Sequence, residues 1–202
     1  MTAENRPFVD ALFRAWSAFY DNPVQQKLYF GPIQDSVMAK LGAAPGRVLD
    51  LGCGTGELIV KLTGRGIDTI GLDLSRDMLV KAAAKPGLGG RVAVADGHVL
   101  PLADASVDAI TCLVSFHYYL RPLEALREMR RVLKPGGRLL LAALTSIVFE
   151  SPTLDSMMRA RTDGFLRVYP PSELKKLCLE AGFGSVSYRL VRPITRLFEA
   201  TV

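Results

Sequence analysis

The sequence predicts an α/β protein whose mostly parallel sheet is covered by helices on both faces and carries one reversed strand near an edge. Three observations lead there. From Arg47 onward, short apolar runs alternate with amphipathic stretches. The runs are close to continuously apolar, as strands buried from two sides must be. The last two runs, 185–191 and 194–202, are separated only by Arg192-Pro193. So short a link permits an antiparallel pair but no parallel crossover.

The elements follow in order. Before Arg47, helical stretches over 7–20 and 24–41 flank Asp21-Asn22-Pro23, and residues 1–46 are expected to form a helical cap within the same domain as a core spanning 47–202. The first strand, 47–52, ends in a glycine cluster; the helix after it, 56–63, stops at Gly64. The second strand is 68–74, and Ser75 is placed to cap a helix over 76–85. Strands follow over 91–95 and 107–114. Pro122 opens a helix that runs to Leu133, because proline suits the first helical turn. Lys134-Pro-Gly-Gly137 reads as a turn and 138–144 as the fifth strand. A helix over 171–182 with a glycine stop precedes the final pair, which brings the strand count to seven.

Composition narrows the function classes. A chain of 202 residues, 49% apolar and 22% charged, fits one soluble domain with a sizeable core. No apolar run approaches the ~20 residues a membrane helix needs. The stretch MTAENRPFVDALFRAW has no signal-peptide pattern, so membrane insertion is not expected and a cytoplasmic location is. Cys53, Cys112 and Cys178 are far apart and odd in number, which argues against a disulfide framework or a zinc site; no metal is expected. The net charge of +5 is dispersed. Its densest stretch, 127–134, places Met129, Val132 and Leu133 at helical spacing, which fits a solvated helix face better than a phosphate track. A nucleic-acid partner is therefore not expected.

Val48-Leu-Asp-Leu-Gly-Cys-Gly-Thr-Gly56 is the most informative stretch. Glycines at 52, 54 and 56 allow a tight turn and a close backbone approach to a ligand. An acid about 20 residues on, at the end of the second strand, is expected to bind ribose hydroxyls, and Asp73 stands there. The nicotinamide fingerprint fails, because Glu57 and Ile59 occupy the places where its last glycine would stand. Glu57 also competes with any pyrophosphate for the positive end of the helix. No P-loop lysine follows. The loop suits a nucleoside without phosphates, and S-adenosylmethionine is such a ligand.

Asp50-Leu-Gly-Cys-Gly-Thr-Gly56 resembles motif I of the class I S-adenosylmethionine-dependent methyltransferases, whose sheet is Rossmann-like and doubly wound. Ile70-Gly-Leu-Asp-Leu-Ser75 with Met78, then Val94-Ala-Asp-Gly97 with Leu100-Pro101 and Ser106-Val-Asp-Ala109, are similar to the next two motifs. Arg131-Val-Leu-Lys-Pro-Gly-Gly137 resembles the R-x-L-K-P-G-G turn of that family. Tyr169 with the helix after Pro171 is similar to the type-11 branch, which includes quinone-biosynthesis enzymes. The likeness is close from Arg47 to Gly137 and loose after it.

The resemblance implies roles residue by residue. Asp50, with the backbone of Gly52 and Gly54, would hold the methionine end. Asp73 would bind both ribose hydroxyls, and Leu74 and Met78 would pack on the adenine, although Met78 serves equally as core. Asp96 would accept from the adenine amino group with help from Gly97, and Ser115 would face the methionyl part. Asp104 and Asp108 are assigned to turn and strand-entry geometry.

The segment Ser115-Phe-His-Tyr-Tyr-Leu120 follows the fourth strand and should line the transfer site, since ligands of such sheets bind at the carboxyl ends of the strands. His117 is the one residue there with an ordinary pKa near neutrality. Two roles stay open for it, a general base and a residue that merely shapes the pocket. Tyr20 is the second catalytic candidate, because Tyr20-Asp21 is similar to a pair in the same branch. His98 is expected at the surface or beside the adenine. Aromatic residues at 16, 19, 20, 29, 30, 116, 118, 119, 149 and 165, with Met157 and Met158, point to a small, mostly apolar or aromatic acceptor, although the same residues suit plain core. Three other activities compete: methylation of RNA or protein, for which charge is the only support; cofactor binding without catalysis, against which the complete set of cofactor residues argues; and aminopropyl transfer, disfavoured because Cys53-Gly54-Thr55 replaces that family's more glycine-rich, acidic loop. A homodimer is also left open.

Overall fold

The computed structural model describes residues 20–43, 45–145, 155–157, 160 and 166–202. Apart from Tyr20, the helix expected over 7–20 lies outside the described residues, as do Phe149, Met158 and Phe165.

Seven strands form one sheet: β1 (Val48–Leu51), β2 (Thr69–Asp73), β3 (Val92–Val94), β4 (Val107–Leu113), β5 (Leu133–Leu144), β6 (Ser185–Arg192) and β7 (Thr195–Thr201). They pair in the order β3-β2-β1-β4-β5-β7-β6. β1 to β5 run parallel to one another, while β7 runs antiparallel to both β5 and β6. The reversed strand thus lies one place in from the edge. Strand order changes direction between β1 and β4, which opens a crevice at their carboxyl ends.

The two faces of the sheet are covered by different helices. Leu139, Leu141 and Ala143 of β5 share a core with Leu126 and Met129 of α4 (Pro122–Val132) and Leu174 of α5 (Pro171–Glu180). Leu140 and Ala142 point the other way, toward Ile33 and Val37 of α1 (Gly31–Leu41) and Leu58 and Leu62 of α2 (Glu57–Thr63). This alternation is the two-residue period of a strand covered on both sides. A smaller cluster of Ile59, Leu79, Ala82 and Leu88 seats α3 (Arg76–Ala83) beside α2. Ser75 caps α3 through its hydroxyl, which accepts from the amide of Met78.

Two expected elements need correction. The helix over 24–41 is continuous in course but not in winding. Asn22 caps it by accepting from Val24 N at 2.9 Å, Pro23 follows, and Gln26–Phe30 form a π turn before α1 begins. Gly31 makes room for that turn, since a Cβ there would lie 2.6 Å from the carbonyl oxygen of Gln26. The second correction concerns Lys134-Pro-Gly-Gly137. Strand β5 begins at Leu133, which pairs with Val107, and its register resumes only at Arg138 opposite Ala109. The expected turn is a wide bulge inside the strand, with Gly136 at φ 74°.

The charged residues of this region are used by the fold. Arg131 donates to Glu128 and Asp104, both at 2.7 Å, and to the carbonyls of Leu100 and Leu102. Asp108 accepts from the amide of Arg47 at 2.8 Å and from Lys134 at 2.9 Å, which fixes the entry to β1 and β4. Among the described residues no helix is long and apolar enough to cross a membrane.

Candidate active site

The site is built at the carboxyl ends of β1, β2, β3 and β4. Strand β1 hands over to the glycine loop, where the amides of Gly52 and Cys53 both donate to Leu72 O, at 2.7 and 3.2 Å. That anchorage bends the loop across the end of β2. Gly52, Gly54 and Gly56 adopt φ values of 72°, 55° and 79°, a left-handed backbone that glycine takes without a steric penalty. A Cβ on Gly52 would also overlap the Ser115 hydroxyl, whereas the space above Gly54 is open.

Above the loop lies an open cleft, about 770 Å³ with its solvent-filled mouth included. Gly52, Gly54 and Asp73 form one wall, and Leu74 and Met78, at the start of α3, form the next. Asp96, Gly97 and His98 come from the loop after β3. Ser115, Tyr118 and Tyr119 close the side after β4, and Tyr20 reaches over from the N-terminal segment. Eight of the nine residues expected at a cofactor therefore meet around one space. Asp50, the ninth, lines an adjoining recess that shares Tyr20, Gly52 and Gly54 with the larger cavity.

Each carboxylate is held by specific partners. Asp73 accepts from Gly54 N at 2.7 Å and from Ser75 N at 2.8 Å. Its pKa is nevertheless raised, because burial outweighs these hydrogen bonds. Asp50, 3% exposed, accepts from the Thr111 hydroxyl at 2.7 Å. Burial pushes its pKa up to about 7, opposed by the Thr111 hydrogen bond and reinforced by the charge of Asp73. Asp96 accepts from the amide and ring of His98, at 2.9 and 2.6 Å. Its pKa is lowered, since those bonds more than offset a desolvation that acts upward.

Four carboxylates, Asp50, Glu57, Asp73 and Asp96, line the two spaces, and among the described residues no lysine or arginine does. Glu57 also occupies the first turn of α2, the place a phosphate would take. The electrostatics suit a ligand that is cationic or neutral, and they oppose a dinucleotide.

The segment after β4 behaves unevenly. Val114 leaves the strand at φ 53°, a strained backbone for a β-branched residue, and lines both spaces. Tyr118 and Tyr119 face the cavity, but His117 does not line it. Its ring is 2% exposed, lies 4.0 Å from the Tyr118 ring between centroids, and leaves Nδ1 without a hydrogen-bond partner. Burial lowers its pKa to about 3. The phenols of Tyr20, pushed by burial to about 12, and of Tyr118, raised further by burial, stay protonated at neutral pH. Among the described residues no group of three or more His, Cys, Asp or Glu could hold a metal ion.

Two lining residues had no role assigned from the sequence. Gln34 and Thr55 reach the recess only through the packing of α1 and the loop. His98, expected either at the surface or beside the adenine, borders the cavity and sits 5.5 Å from the Tyr119 ring between centroids.

Comparison with known proteins supplies the context for this geometry. The methyltransferase domain model of the type-11 family matches residues 49–141. A demethylmenaquinone methyltransferase of Deinococcus radiodurans is 35% identical over 159 residues, 70% of this chain and 66% of that protein. An uncharacterized methyltransferase of Mycobacterium tuberculosis is 44% identical over 100 residues, 49% of this chain and 40% of that one. The chain thus spans between about two fifths and two thirds of these relatives. A structure described as an S-adenosylmethionine-dependent methyltransferase of Aquifex aeolicus superposes with a TM-score of 0.72 at 22% identity, covering 94% of this chain and 98% of that one. At that identity the likeness shows the fold alone.

Proposed function

Because this chain belongs to the type-11 methyltransferase-domain family, we propose that it transfers the methyl group of S-adenosylmethionine to a small, mostly apolar or aromatic acceptor by direct displacement. The observation that carries this reading is the charge of the two spaces, which among the described residues present four carboxylates and neither lysine nor arginine to a ligand. A sulfonium and an ammonium are the cations such a site would favour, and an adenosine with no phosphate avoids the repulsion of Glu57.

The residues present fit the cofactor. Asp73 stands where ribose hydroxyls would donate, and Leu74 and Met78 offer an apolar face to the base. Asp96 borders the far end beside Gly97, whose lack of a Cβ leaves room for the Tyr119 ring. Asp50 and the loop glycines border the recess for the amino-acid end. When bound, S-adenosylmethionine supplies an activated electrophilic methyl group. The protein then has to align the acceptor and exclude water, and orientation alone lowers such a barrier by several kcal/mol.

Tyr20 and Tyr118 flank the cavity and keep their protons, so they act as hydrogen-bond donors and walls rather than as bases. His117, buried and turned from the cavity, suits the shaping role that the sequence left open; a base of so low a pKa takes up protons weakly. Of the expected cap, Tyr20 and Phe30 border the recess, while α1 belongs to the layer that covers the sheet. A relative named for demethylmenaquinone supports an aromatic, quinol-like acceptor.

Calorimetry with the purified protein tests the cofactor. Micromolar binding of S-adenosylmethionine and S-adenosylhomocysteine, with none of a nicotinamide dinucleotide, is the expected result. A screen of phenolic and quinol acceptors with methyl-labelled cofactor then identifies the reaction. Uptake of the dinucleotide in place of the methyl donor would overturn the reading.

A further inference from the structure

Gln34 is anomalous among the buried residues of α1. Its helical neighbours on the inner face, Ile33, Val37, Met38 and Leu41, are apolar, yet Gln34 is only 6% exposed. Its Nε2 donates to Gln26 Oε1 at a long 3.4 Å, and its Oε1 has no partner. Buried polar atoms are almost always hydrogen-bonded, so an orphaned acceptor calls for an account. A methionine would fill much the same volume and leave no orphan.

The recess that Gln34 lines supplies that account. It also holds Asp50, Thr55 and Glu57, and it opens onto the larger cavity past Gly52 and Gly54. Two of the other polar groups are already engaged: Glu57 by Lys85, and Asp50 by Thr111. Thr55 donates to Asp21. An unengaged acceptor beside a buried acid is what a small cationic N–H donor would find here.

We propose that Gln34 is a positioning residue for the cofactor's amino-acid end: its Oε1 accepts a hydrogen bond from the cofactor ammonium and so couples helix α1 to the loaded site. This rests on the cofactor reading above. Asp50 provides the charge and Gln34 a neutral second acceptor in the same recess. Since α1 also packs on the sheet through Ile33 and Val37, the bond joins the N-terminal layer to the state of the recess.

Calorimetry on the whole chain tests this with three ligands: S-adenosylmethionine, S-adenosylhomocysteine and methylthioadenosine, which lacks the amino-acid arm. Gln34→Met is expected to weaken the first two about tenfold, the loss of one hydrogen bond to a charged donor, and to leave methylthioadenosine within about twofold. Gln34→Glu keeps an acceptor and is expected to hold both amino-acid ligands within about threefold. The free Gln34→Met protein should melt no lower than the parent, because the orphan is gone; lower melting would overturn the account of the orphan. An unchanged affinity of Gln34→Met for S-adenosylmethionine, or an equal loss for methylthioadenosine, would overturn the inference while leaving the cofactor reading intact. Loss of S-adenosylhomocysteine by Gln34→Glu equal to that by Gln34→Met would show the amide donating to the carboxylate, and would overturn it too. If the parent protein bound none of the three, the cofactor reading itself would fall and this inference with it.

Discussion

The hydroxyl of Thr55 donates to the carboxylate of Asp21 at 2.5 Å, so the centre of the glycine loop is tied directly to the N-terminal segment. Lys85, just beyond α3, reaches the same Asp21 oxygen at 3.0 Å and also pairs with Glu57. One lysine thus joins the cap, the loop and the start of α2. These groups are only partly exposed, which places them above ordinary surface pairs in strength.

Removing that lysine should loosen the cap. In Lys85→Met, Asp21 loses one of its two donors and Glu57 its ion-pair partner. A stability loss of about 1–2 kcal/mol is expected by denaturant titration, with a weaker dependence on salt than in the parent. Affinity for S-adenosylmethionine should fall as well, because Asp21 follows Tyr20, which borders both spaces. A midpoint unchanged from the parent would show that the network contributes nothing.

Asp50 should make the free protein less stable as pH rises. Its folded pKa of about 7 lies above the ordinary 3.8, so folding takes up a proton between those values. Stability then declines from about pH 4 to about pH 7 and levels off above. Asp73, also raised by burial, acts in the same direction. Asp50→Asn removes one of the two contributions, and its melting temperature at pH 8 should exceed that of the parent by roughly 5 °C. The same variant should lose most of its affinity for the methyl donor.

Cofactor affinity should show the complementary dependence. A bound ammonium favours ionised Asp50, so binding expels its proton. Calorimetry in buffers of different ionisation heat should detect that release near neutrality. The affinity should rise about fivefold from pH 6 to pH 7 if Asp50 alone titrates. A flat profile would mean that the ammonium lies away from this acid.

His117→Leu and Tyr118→Phe separate shape from proton transfer. Once an acceptor is in hand, the His117 variant should keep kcat within about threefold, since its ring does not line the cavity. A general base would instead cost about a hundredfold or more. Tyr118→Phe removes a hydroxyl from the wall and should raise KM for the acceptor more than it lowers kcat.

Much of this architecture was legible because the signals were local. Three glycines in alternation, an acid at the second strand tip and Ser75 before an amphipathic run each fix their own backbone. The bulge at 134–137 was less legible. Pro135 and two glycines signal a break, but the pairing of Leu133 with Val107 that keeps it inside β5 depends on the opposite strand. Gln34 gave no sign at all: a glutamine at helical spacing looks solvent-facing until the fold buries it in the recess that Asp50 also lines. Nor does sequence alone tell His117 from Tyr118. Which of two neighbours meets the cavity is decided by the single 3₁₀ turn at Phe116–Tyr118 and the twisted exit at Val114.

The position of β7 has a consequence for how the chain reaches this state. Among the described residues β6 pairs with no strand but β7, and β7 is the only strand paired with the outer edge of β5. During synthesis β5 emerges well before β7, so its long apolar edge stays unpaired until some fifty further residues have followed it out of the ribosome. An open edge of that kind invites association with other chains. Pulse-labelled nascent chains halted before Thr195 should therefore aggregate or recruit chaperones, and those halted well beyond Thr201 should not.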